Sequence, residues 1–211
     1  MRERAQIISA MDESQSTSKN NSTETIEEIK QDIVSGRSNL LSYVGELEPY
    51  LTSEEATKRV KGMEVLVNIL KNLTSNEVNK KTASVLVMFF SLRTSDAVSI
   101  PQILDGMWAL MNMNDDDEAL QRKIVTNVLN KIHVQSYQQR IRNLTFQIID
   151  RYLSIKGKKL INKKTIIDIV TSIDGERDPR NLMLIFDIVT KLVCECDISE
   201  AYKASYSNYS I

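Results

Sequence analysis

The residue types that hold metals or act as nucleophiles are scarce in this sequence. It contains two cysteines, Cys194 and Cys196, and one histidine, His133. A structural zinc site takes about four protein ligands, and an iron–sulfur cluster takes about four thiolates. Two thiols separated by one intervening residue on a helix also point in different directions. We therefore interpret the pair as one core and one surface cysteine, and we expect neither a metal site nor a cofactor.

A nucleophile paired with a base would have to use His133, because it is the only histidine. It comes at the predicted end of a helix, where an imidazole can bond the terminal carbonyl groups, and we assign it that structural role. The 6 glycines are isolated and form no phosphate-binding loop. These features predict a protein that is not an enzyme.

The polar turn at residues 173–182, with the sequence IDGERDPRNL, carries more information. Asp178 is a natural N-cap, because its carboxylate can accept a hydrogen bond from the first turn of a helix. Pro179 then occupies the first helical position, where a missing N–H costs nothing. Ser136 and Gln139 have the spacing of a capping box and predict a second helix start.

Four polar residues of this turn, Glu176, Arg177, Arg180 and Asn181, allow two interpretations. In the structural one they form a ladder of turn contacts between stacked hairpins, in which Arg180 bonds the turn of a neighbouring repeat. In the functional one Glu176 and Arg177 lie at an exposed tip and contact a partner protein, because arginine is favoured at interfaces. We retain all four as candidate partner-binding residues.

Helical periodicity extends through most of the chain. Apolar residues recur at three- and four-residue spacing over residues 25–196, and no strand-like alternation competes over a useful length. Residues 1–24 are mostly polar towards their end and are predicted to be a flexible leader. Residues 197–211 form a polar tail rich in tyrosine and serine. The sequence therefore predicts an all-α protein with one helical domain at residues 25–196.

Recurrence within this domain predicts its architecture. An arginine comes early in the predicted second helix of three hairpins, at Arg59, Arg140 and Arg180, and the last two lie 40 residues apart. HEAT and armadillo repeats span about 40–47 residues. Apolar helices joined by polar turns bury their faces mainly by stacking on one another. We therefore expect a HEAT- or armadillo-like α-solenoid of three to four helical hairpins.

Composition argues against two classes of partner. The formal net charge is -1, whereas a general nucleic-acid binder usually has a basic surplus. No apolar run approaches the ~18 residues of a membrane-spanning helix. We expect no direct binding to nucleic acid or to a membrane.

Two stretches also carry a family resemblance. The sequences IDGERDPRNLMLIFDIV at residues 173–189 and IHVQSYQQRIR at residues 132–142 resemble the N-terminal domain of the MMS-nineteen family. A weaker pattern of leucines and polar turns extends the resemblance over residues 40–193. Members of this family are non-catalytic adaptors of cytosolic iron–sulfur protein assembly, so the resemblance implies the N-terminal part of such an adaptor.

The resemblance also implies partners and a location. Family members connect the assembly complex to apo iron–sulfur clients of DNA repair, replication and transcription, such as DNA helicases. The complex includes a WD-repeat propeller and a small acidic adaptor protein. Family members act in cytoplasm and nucleus. Docking to the assembly partners is attributed to later repeats, which leaves client contact or self-association for this chain. The polar tail lacks the aliphatic pattern of a further repeat, so we expect an N-terminal fragment, a short isoform or an incomplete gene model.

One alternative stays open at the level of sequence. A HEAT-repeat protein-interaction scaffold unrelated to iron–sulfur assembly would show the same periodicity and the same scarcity of reactive residues. Such a scaffold would bind transport or scaffolding partners instead of iron–sulfur clients. The identity of the bound proteins, rather than the fold, distinguishes the two hypotheses.

Overall fold

The structure, a computed structural model, describes residues 18–155 and 161–195 of the 211-residue chain. Every regular element in these two ranges is a helix, which confirms the predicted all-α class. None of the helices in this part of the chain is long and apolar enough to span a membrane. The α-helices are α1 (Ser18–Val34), α2 (Leu40–Glu46), α3 (Glu48–Leu51), α4 (Ala56–Lys71), α5 (Lys80–Leu92), α6 (Ile100–Met113), α7 (Glu118–Lys131), α8 (Gln139–Leu153), α9 (Lys163–Ile173) and α10 (Pro179–Glu195).

The described helices form two compact units, which divide between Met113 and Asn114. The first unit contains α1 to α6, and the second contains α7 to α10. Each unit is built on one pair of long helices in extensive contact, α4 with α6 and α8 with α10. The stacking of hairpins into a HEAT- or armadillo-like solenoid stays a prediction.

The core of the first unit lies between α4, α5 and α6, which contact one another in the pairs α4 with α6 and α5 with α6. Their apolar residues recur at the predicted helical spacing, and each fully buried large side chain contributes about 1.5–3 kcal/mol of hydrophobic stabilisation. The fully buried side chains of these helices include Leu66, Leu70, Leu86, Phe90, Ile103, Leu104, Met107 and Leu110.

Helix α6 contacts α5 closely at Gly106. A Cβ atom added to Gly106 would lie 2.5 Å from Cζ and 2.7 Å from Cε2 of Phe90, whose ring is fully buried. Such distances are well inside van der Waals contact in a close-packed interior. Only glycine therefore lets the Phe90 ring pack directly on the backbone of α6.

The second unit is organised around the packing of α8 on α10, with α7 in contact with both α8 and α9. The buried apolar side chains of α8 and α10 lie at three- and four-residue spacing, so each helix presents one apolar row to its neighbours. These side chains are Phe146, Ile149 and Leu153 of α8 and Ile185, Ile188 and Leu192 of α10.

Helix α1 begins at Ser18, seven residues before the predicted start at residue 25. The predicted leader, residues 1–24, is therefore too long. Ile29 and Ile33 are buried and anchor the second half of α1. Once a helix has formed, each residue added to its end gains one hydrogen bond, so α1 extends towards Ser18. Residues 1–17, the predicted tail 197–211 and Cys196 lie outside the described residues.

The predicted capping box at Ser136 and Gln139 is wrong. Ser136 ends the short 3-10 turn Val134–Ser136, and α8 begins at Gln139. The N-cap is Gln138, whose backbone is extended with φ -62° and ψ 156°. A capping box needs glutamine at the third helical position, whereas Gln139 occupies the first. The Gln139 side chain bonds α10 instead.

Candidate partner-binding surface

Glu176 is the centre of a buried polar network in the second unit. Its side chain is only 1% exposed. Arg142 of α8 donates to both carboxylate oxygens, from Nε at 2.7 Å and from Nη2 at 2.9 Å. The backbone N–H groups of Arg177 and Asp178 donate to Oε1 at 2.9 Å, and Asn181 Nδ2 donates to Oε2 at 2.8 Å. One carboxylate thus accepts five hydrogen bonds.

This environment determines the charge of Glu176. The hydrogen bonds from Arg142 lower the pKa of Glu176 to about 2, with further help from the backbone and from Asn181, and they outweigh the opposing effect of burial. Hydrogen bonds to the charged form of a carboxyl favour that form. Glu176 is therefore ionised near neutral pH and is not poised to give or take a proton there.

Asn181 connects this network to the first turn of α8. The residue is fully buried, and its Oδ1 accepts hydrogen bonds from Gln139 Nε2 and Asn143 Nδ2, each at 2.9 Å. Its Nδ2 donates to Glu176, so both ends of the buried amide are satisfied, as buried polar groups require. The network therefore joins the start of α8 to the start of α10 through side chains on both helices.

A further contact comes from the 3-10 turn before α8. Gln135 Nε2 donates to the backbone carbonyl groups of Ser172, at 2.9 Å, and Asp174, at 2.8 Å. Carbonyl groups at the end of a helix lack intrahelical partners, and Gln135 supplies one to the end of α9. The two stretches that carry the family resemblance, residues 132–142 and 173–189, therefore contact each other as the two halves of one polar network.

The four candidate partner-binding residues divide into two pairs. Glu176 and Asn181 are buried in the network, so the expectation that Glu176 lies at an exposed tip is wrong. Arg177 and Arg180 are exposed, and their contact with a partner protein stays a prediction. The turn thus presents two arginines to solvent from a backbone that its buried residues hold in place.

Asp178 and Pro179 begin α10 as predicted. Pro179 is the first helical residue, and Asp178 Oδ1 accepts the backbone N–H of Arg180 at 3.0 Å. The Arg180 side chain also donates to Asp178, from Nε at 3.0 Å and Nη2 at 2.8 Å, and so lowers the pKa of Asp178. The interpretation in which Arg180 bonds the turn of a neighbouring repeat is wrong, because the guanidinium bonds its own N-cap.

An equivalent arginine occurs in each unit. Arg59 is the fourth residue of α4, and Arg142 is the fourth residue of α8. Arg59 donates to Asp96 from Nε at 2.8 Å and from Nη2 at 3.1 Å, in the same two-bond manner as Arg142 bonds its carboxylate. Arg140 is exposed beside this position. Arg59, Arg140 and Arg180 all lie early in their helices as predicted, and the arginines that share the fourth helical position are Arg59 and Arg142.

One side of α10 is both apolar and exposed. Met183 is 69% exposed and Phe186 is 64% exposed, and Val189 and Val193 continue the row at three- and four-residue spacing. We call these four side chains the α10 outer face. Contiguous exposed apolar side chains mark interaction sites, whereas single ones are common on any surface. The two exposed arginines of the preceding turn lie at the N-terminal end of the same helix.

The candidate metal ligands are dispersed. Cys194 is an exposed free thiol. His133 is exposed, and its backbone carbonyl accepts the N–H of Ser136 in the 3-10 turn. Among the described residues, no three histidine, cysteine, aspartate or glutamate side chains are grouped closely enough to hold a metal ion. The contact of the imidazole with helix-terminal carbonyl groups stays a prediction.

Comparison with known proteins identifies the family. The family model of the MMS19 N-terminal domain, described as a Dos2-interacting transcription regulator of RNA-Pol-II, matches residues 44–210. The matched range contains both halves of the polar network and the α10 outer face. The chain belongs to the MMS19 family. Its membership confirms the resemblance that the two short stretches indicated.

Relatives of known name agree with this membership. The MMS19 nucleotide excision repair protein homolog of Xenopus tropicalis is 29% identical over 169 residues, which cover 79% of this chain and 16% of the relative. The DNA repair/transcription protein mms19 of Schizosaccharomyces pombe is 26% identical over 180 residues, 83% of this chain and 18% of the relative. The chain thus spans only 16% and 18% of the lengths of these two MMS19 proteins.

The arginine that holds Glu176 is not among the residues predicted from the sequence. In this MMS19-family chain, Arg142 precedes its partner by 34 residues and lies on another helix. A signal for it was present, because Gln139, Arg142 and Asn143 occupy the same side of α8 as the buried Phe146. A polar row that extends an apolar row in this way predicts polar contacts on the buried side of a helix.

Proposed function

We propose that this chain is the N-terminal interaction region of a non-catalytic adaptor of the cytosolic iron–sulfur protein assembly complex. In this role it helps to target clusters to apo-proteins of DNA repair, replication and transcription. Membership of the MMS19 family supports the proposal, because relatives carry the names of nucleotide excision repair and DNA repair/transcription proteins. The observation that carries it is the exposed α10 outer face beside Arg177 and Arg180.

The α10 outer face has the composition of a protein-binding site. Interface cores are enriched in aromatic residues, methionine and arginine, and depleted in lysine and glutamate. Phe186 and Met183 supply apolar area, and Arg177 and Arg180 supply polar contacts at its edge. The planar guanidinium head makes several hydrogen bonds to carboxylate or carbonyl groups of a partner. We therefore assign client contact to this face.

The buried network supports such a surface by holding its backbone. Arg142 and Asn181 connect the turn to α8, so the exposed arginines project from a constrained segment. A preorganised surface loses less conformational entropy when a partner binds. Glu176 and Asn181 therefore act as positioning residues in this proposal, and Arg177 and Arg180 act as contact residues.

The chemistry of the turn supports a non-catalytic role. Glu176 is ionised and accepts five hydrogen bonds, and Asp178 is bonded by Arg180. Neither carboxylate is poised for general acid or base catalysis near neutral pH. Clients such as DNA helicases contact this region, in cytoplasm and nucleus. The WD-repeat propeller and the small acidic adaptor protein bind parts of the longer relatives that this chain does not span.

Charge reversal at both contact arginines is expected to remove iron–sulfur clients from the proteins that the chain captures. The double variant Arg177→Glu, Arg180→Glu also removes the ion pair of Arg180 with Asp178, but this pair lies at the surface, where such pairs add little stability, so the variant keeps the fold. Attraction to partner carboxylates then becomes repulsion. The measurement is affinity capture from cell extract followed by quantitative mass spectrometry. Recovery of iron–sulfur helicases and polymerases falls by about tenfold or more relative to the wild type.

The variant Lys163→Glu is the matched control, because it reverses an exposed charge at the start of α9, away from the turn. It captures the same clients as the wild type, and circular dichroism shows that all three proteins are folded. A folded double variant that captures the clients as well as the wild type would remove both arginines from the site. Recovery of transport or scaffolding proteins, without any assembly factor or client, would replace the adaptor proposal by the HEAT-type scaffold.

A further inference from the structure

A second row of exposed side chains lies in the first unit, on α5. Lys81, Val85, Met88 and Leu92 follow one another at four-, three- and four-residue spacing and therefore share one side of the helix. Met88 is 56% exposed and Leu92 is 66% exposed. We call Val85, Met88 and Leu92 the α5 outer face. It belongs to a different unit from the α10 outer face and is independent of the function proposed for that surface.

One end of the α5 outer face opens into a groove of about 630 Å³. Val34 at the end of α1 and Leu41 of α2 line this groove together with Val85, and all three side chains are exposed. The apolar surface thus runs from α1 and α2 across the groove and along α5. The row from Val85 to Leu92 is ~10 Å long at the helical rise per residue, which is about two turns of a docked helix.

Positive charges lie at both ends of the α5 outer face. Helix α5 begins with two lysines and contains no acidic residue, and Lys81 is exposed at the groove. Arg93 follows the last residue of the helix, and its guanidinium lies 3.7 Å from the centroid of the Phe89 ring. The N-terminal end of a helix also favours negative charge through its dipole. Both ends of the row therefore favour carboxylates on a ligand.

The carboxylates near the groove already have partners within the chain. Glu77 accepts hydrogen bonds from Thr74, from the backbone N–H at 2.7 Å and the hydroxyl at 2.6 Å. Asp32 of α1 accepts the Tyr43 hydroxyl at 3.1 Å and pairs with Arg37 at 2.7 Å. Arg37 balances the charge of Asp32, whereas Glu77 lines the groove and keeps its charge. The two lysines that begin α5 therefore outnumber this one carboxylate at the groove end of the face.

We propose that the α5 outer face and its groove bind an acidic amphipathic helix of a partner protein. The apolar side chains of that helix, spaced i, i+3 or i+4 and i+7, cover Val85, Met88 and Leu92. Its carboxylates face Lys81 at one end and Arg93 at the other. Helix-in-groove recognition uses anchors at this spacing, and methionine adapts well to apolar partners of varied shape.

Two designed peptides of about 18 residues test the proposal, since that length supports helix formation. Both carry leucine at the spacing of the anchors; one has glutamate and the other lysine at the flanking positions. Binding of each to the full 211-residue chain is measured by titration calorimetry at an ionic strength of about 50 mM, where charge effects are large. The acidic peptide binds at least about tenfold more tightly and protects α5 from hydrogen exchange.

Variants of exposed side chains locate the binding site. Met88→Glu places a negative charge in the apolar row and lowers the affinity for the acidic peptide by about tenfold or more. Lys81→Glu removes an attraction at the edge of the row and lowers this affinity by about threefold. Lys163→Glu, which changes an exposed side chain outside both outer faces, leaves the affinity unchanged. The three side chains are exposed, and circular dichroism verifies that the variants are folded.

Several outcomes would overturn the proposal. Equal or tighter binding of the basic peptide contradicts the assigned charge, and unchanged affinity in Met88→Glu contradicts the assigned face. If the acidic peptide does not bind and α5 gains no protection from hydrogen exchange, both the assigned charge and the assigned face are contradicted. These results leave the client-capture experiment on Arg177 and Arg180 untouched, because that experiment tests a surface in the other unit.

Discussion

Replacing Glu176 with alanine is expected to lower the free energy of unfolding of the second unit by about 3 kcal/mol. The change removes the acceptor of five hydrogen bonds, so Arg142 loses the carboxylate that balances its charge and Asn181 Nδ2 loses its acceptor. Breaking a buried pair by removing one partner is costly, because the other partner stays desolvated. Arg142 still donates to the Tyr137 carbonyl, so we expect a loss of stability at the lower end of the range seen when one partner of a buried ion pair is removed.

Urea denaturation followed by circular dichroism measures this loss, and hydrogen exchange locates it. Amide protection falls in α8 and α10, because the network joins the first turns of these helices. Asp187→Ala is the matched control, since Asp187 is an exposed carboxylate on α10 and its removal changes stability little. A loss below about 1 kcal/mol for Glu176→Ala would mean that the network contributes little to holding the turn.

The same carboxylate predicts how stability depends on pH. The pKa of Glu176 is lowered from an ordinary 4.5 to about 2 in the folded chain, so its contribution is complete above pH 4.5 and is lost as the pH falls through about 2. The size of this contribution is about 3 kcal/mol at 1.36 kcal/mol per pH unit. The stability difference between wild type and Glu176→Ala therefore narrows between pH 4.5 and pH 2. A difference that stays constant over this interval contradicts the lowered pKa.

The parts of this site that were predictable from sequence are the local ones. Asp178 and Pro179 act within one turn of chain, so residue type and spacing determine their roles. The partner of Glu176 lies 34 residues away, and nothing in the turn itself selects Arg142 over Arg140. That choice depends on which side of α8 faces α10, and the two positions differ by about 200° around the helix axis.

The starts of helices were also only partly predictable, because more than one local motif can mark them. Serine three residues before glutamine predicted a helix start at Ser136, yet Ser136 lies in a 3-10 turn that precedes the helix. The N-caps that accept a hydrogen bond from three residues ahead are Asn39, Asn79, Asp117 and Asn162. Asparagine and aspartate are strong N-caps without any second residue, so a motif that requires two residues passes over them.

Apolar periodicity predicted the helices well and their surroundings less well. The apolar residues of α10 recur at three- and four-residue spacing, yet Ile185 and Leu192 are buried while Phe186, Val189 and Val193 are exposed. The spacing of apolar residues determines which side of a helix avoids water, but the neighbouring helices determine how much of that side is covered. Both outer faces described above therefore became visible only in three dimensions.

Replacing Gly106 with alanine is expected to lower the free energy of unfolding of the first unit by about 2 kcal/mol, although alanine is the better helix former. The added methyl group would lie 2.5 Å from Cζ of the buried Phe90 ring, so either the ring or α6 must move. Overpacking of this kind costs about 3 kcal/mol at its upper end, and the gain in helix propensity offsets about 1 kcal/mol of it. Urea denaturation followed by the fluorescence of Trp108 on α6 measures the change, because it is the only tryptophan.

Two further variants separate crowding from helix propensity. Gly45 lies on the exposed side of α2, and a Cβ there would have nothing within 4 Å, so Gly45→Ala stabilises the first unit by about 0.5–1 kcal/mol. In a Phe90→Leu background the ring that meets the new methyl group is absent, so Gly106→Ala becomes neutral or stabilising. A loss of the same size in both backgrounds would show that the cost arises elsewhere on α6. A reversal of sign would show that the spacing of α5 and α6 depends on this one contact between a ring and a backbone.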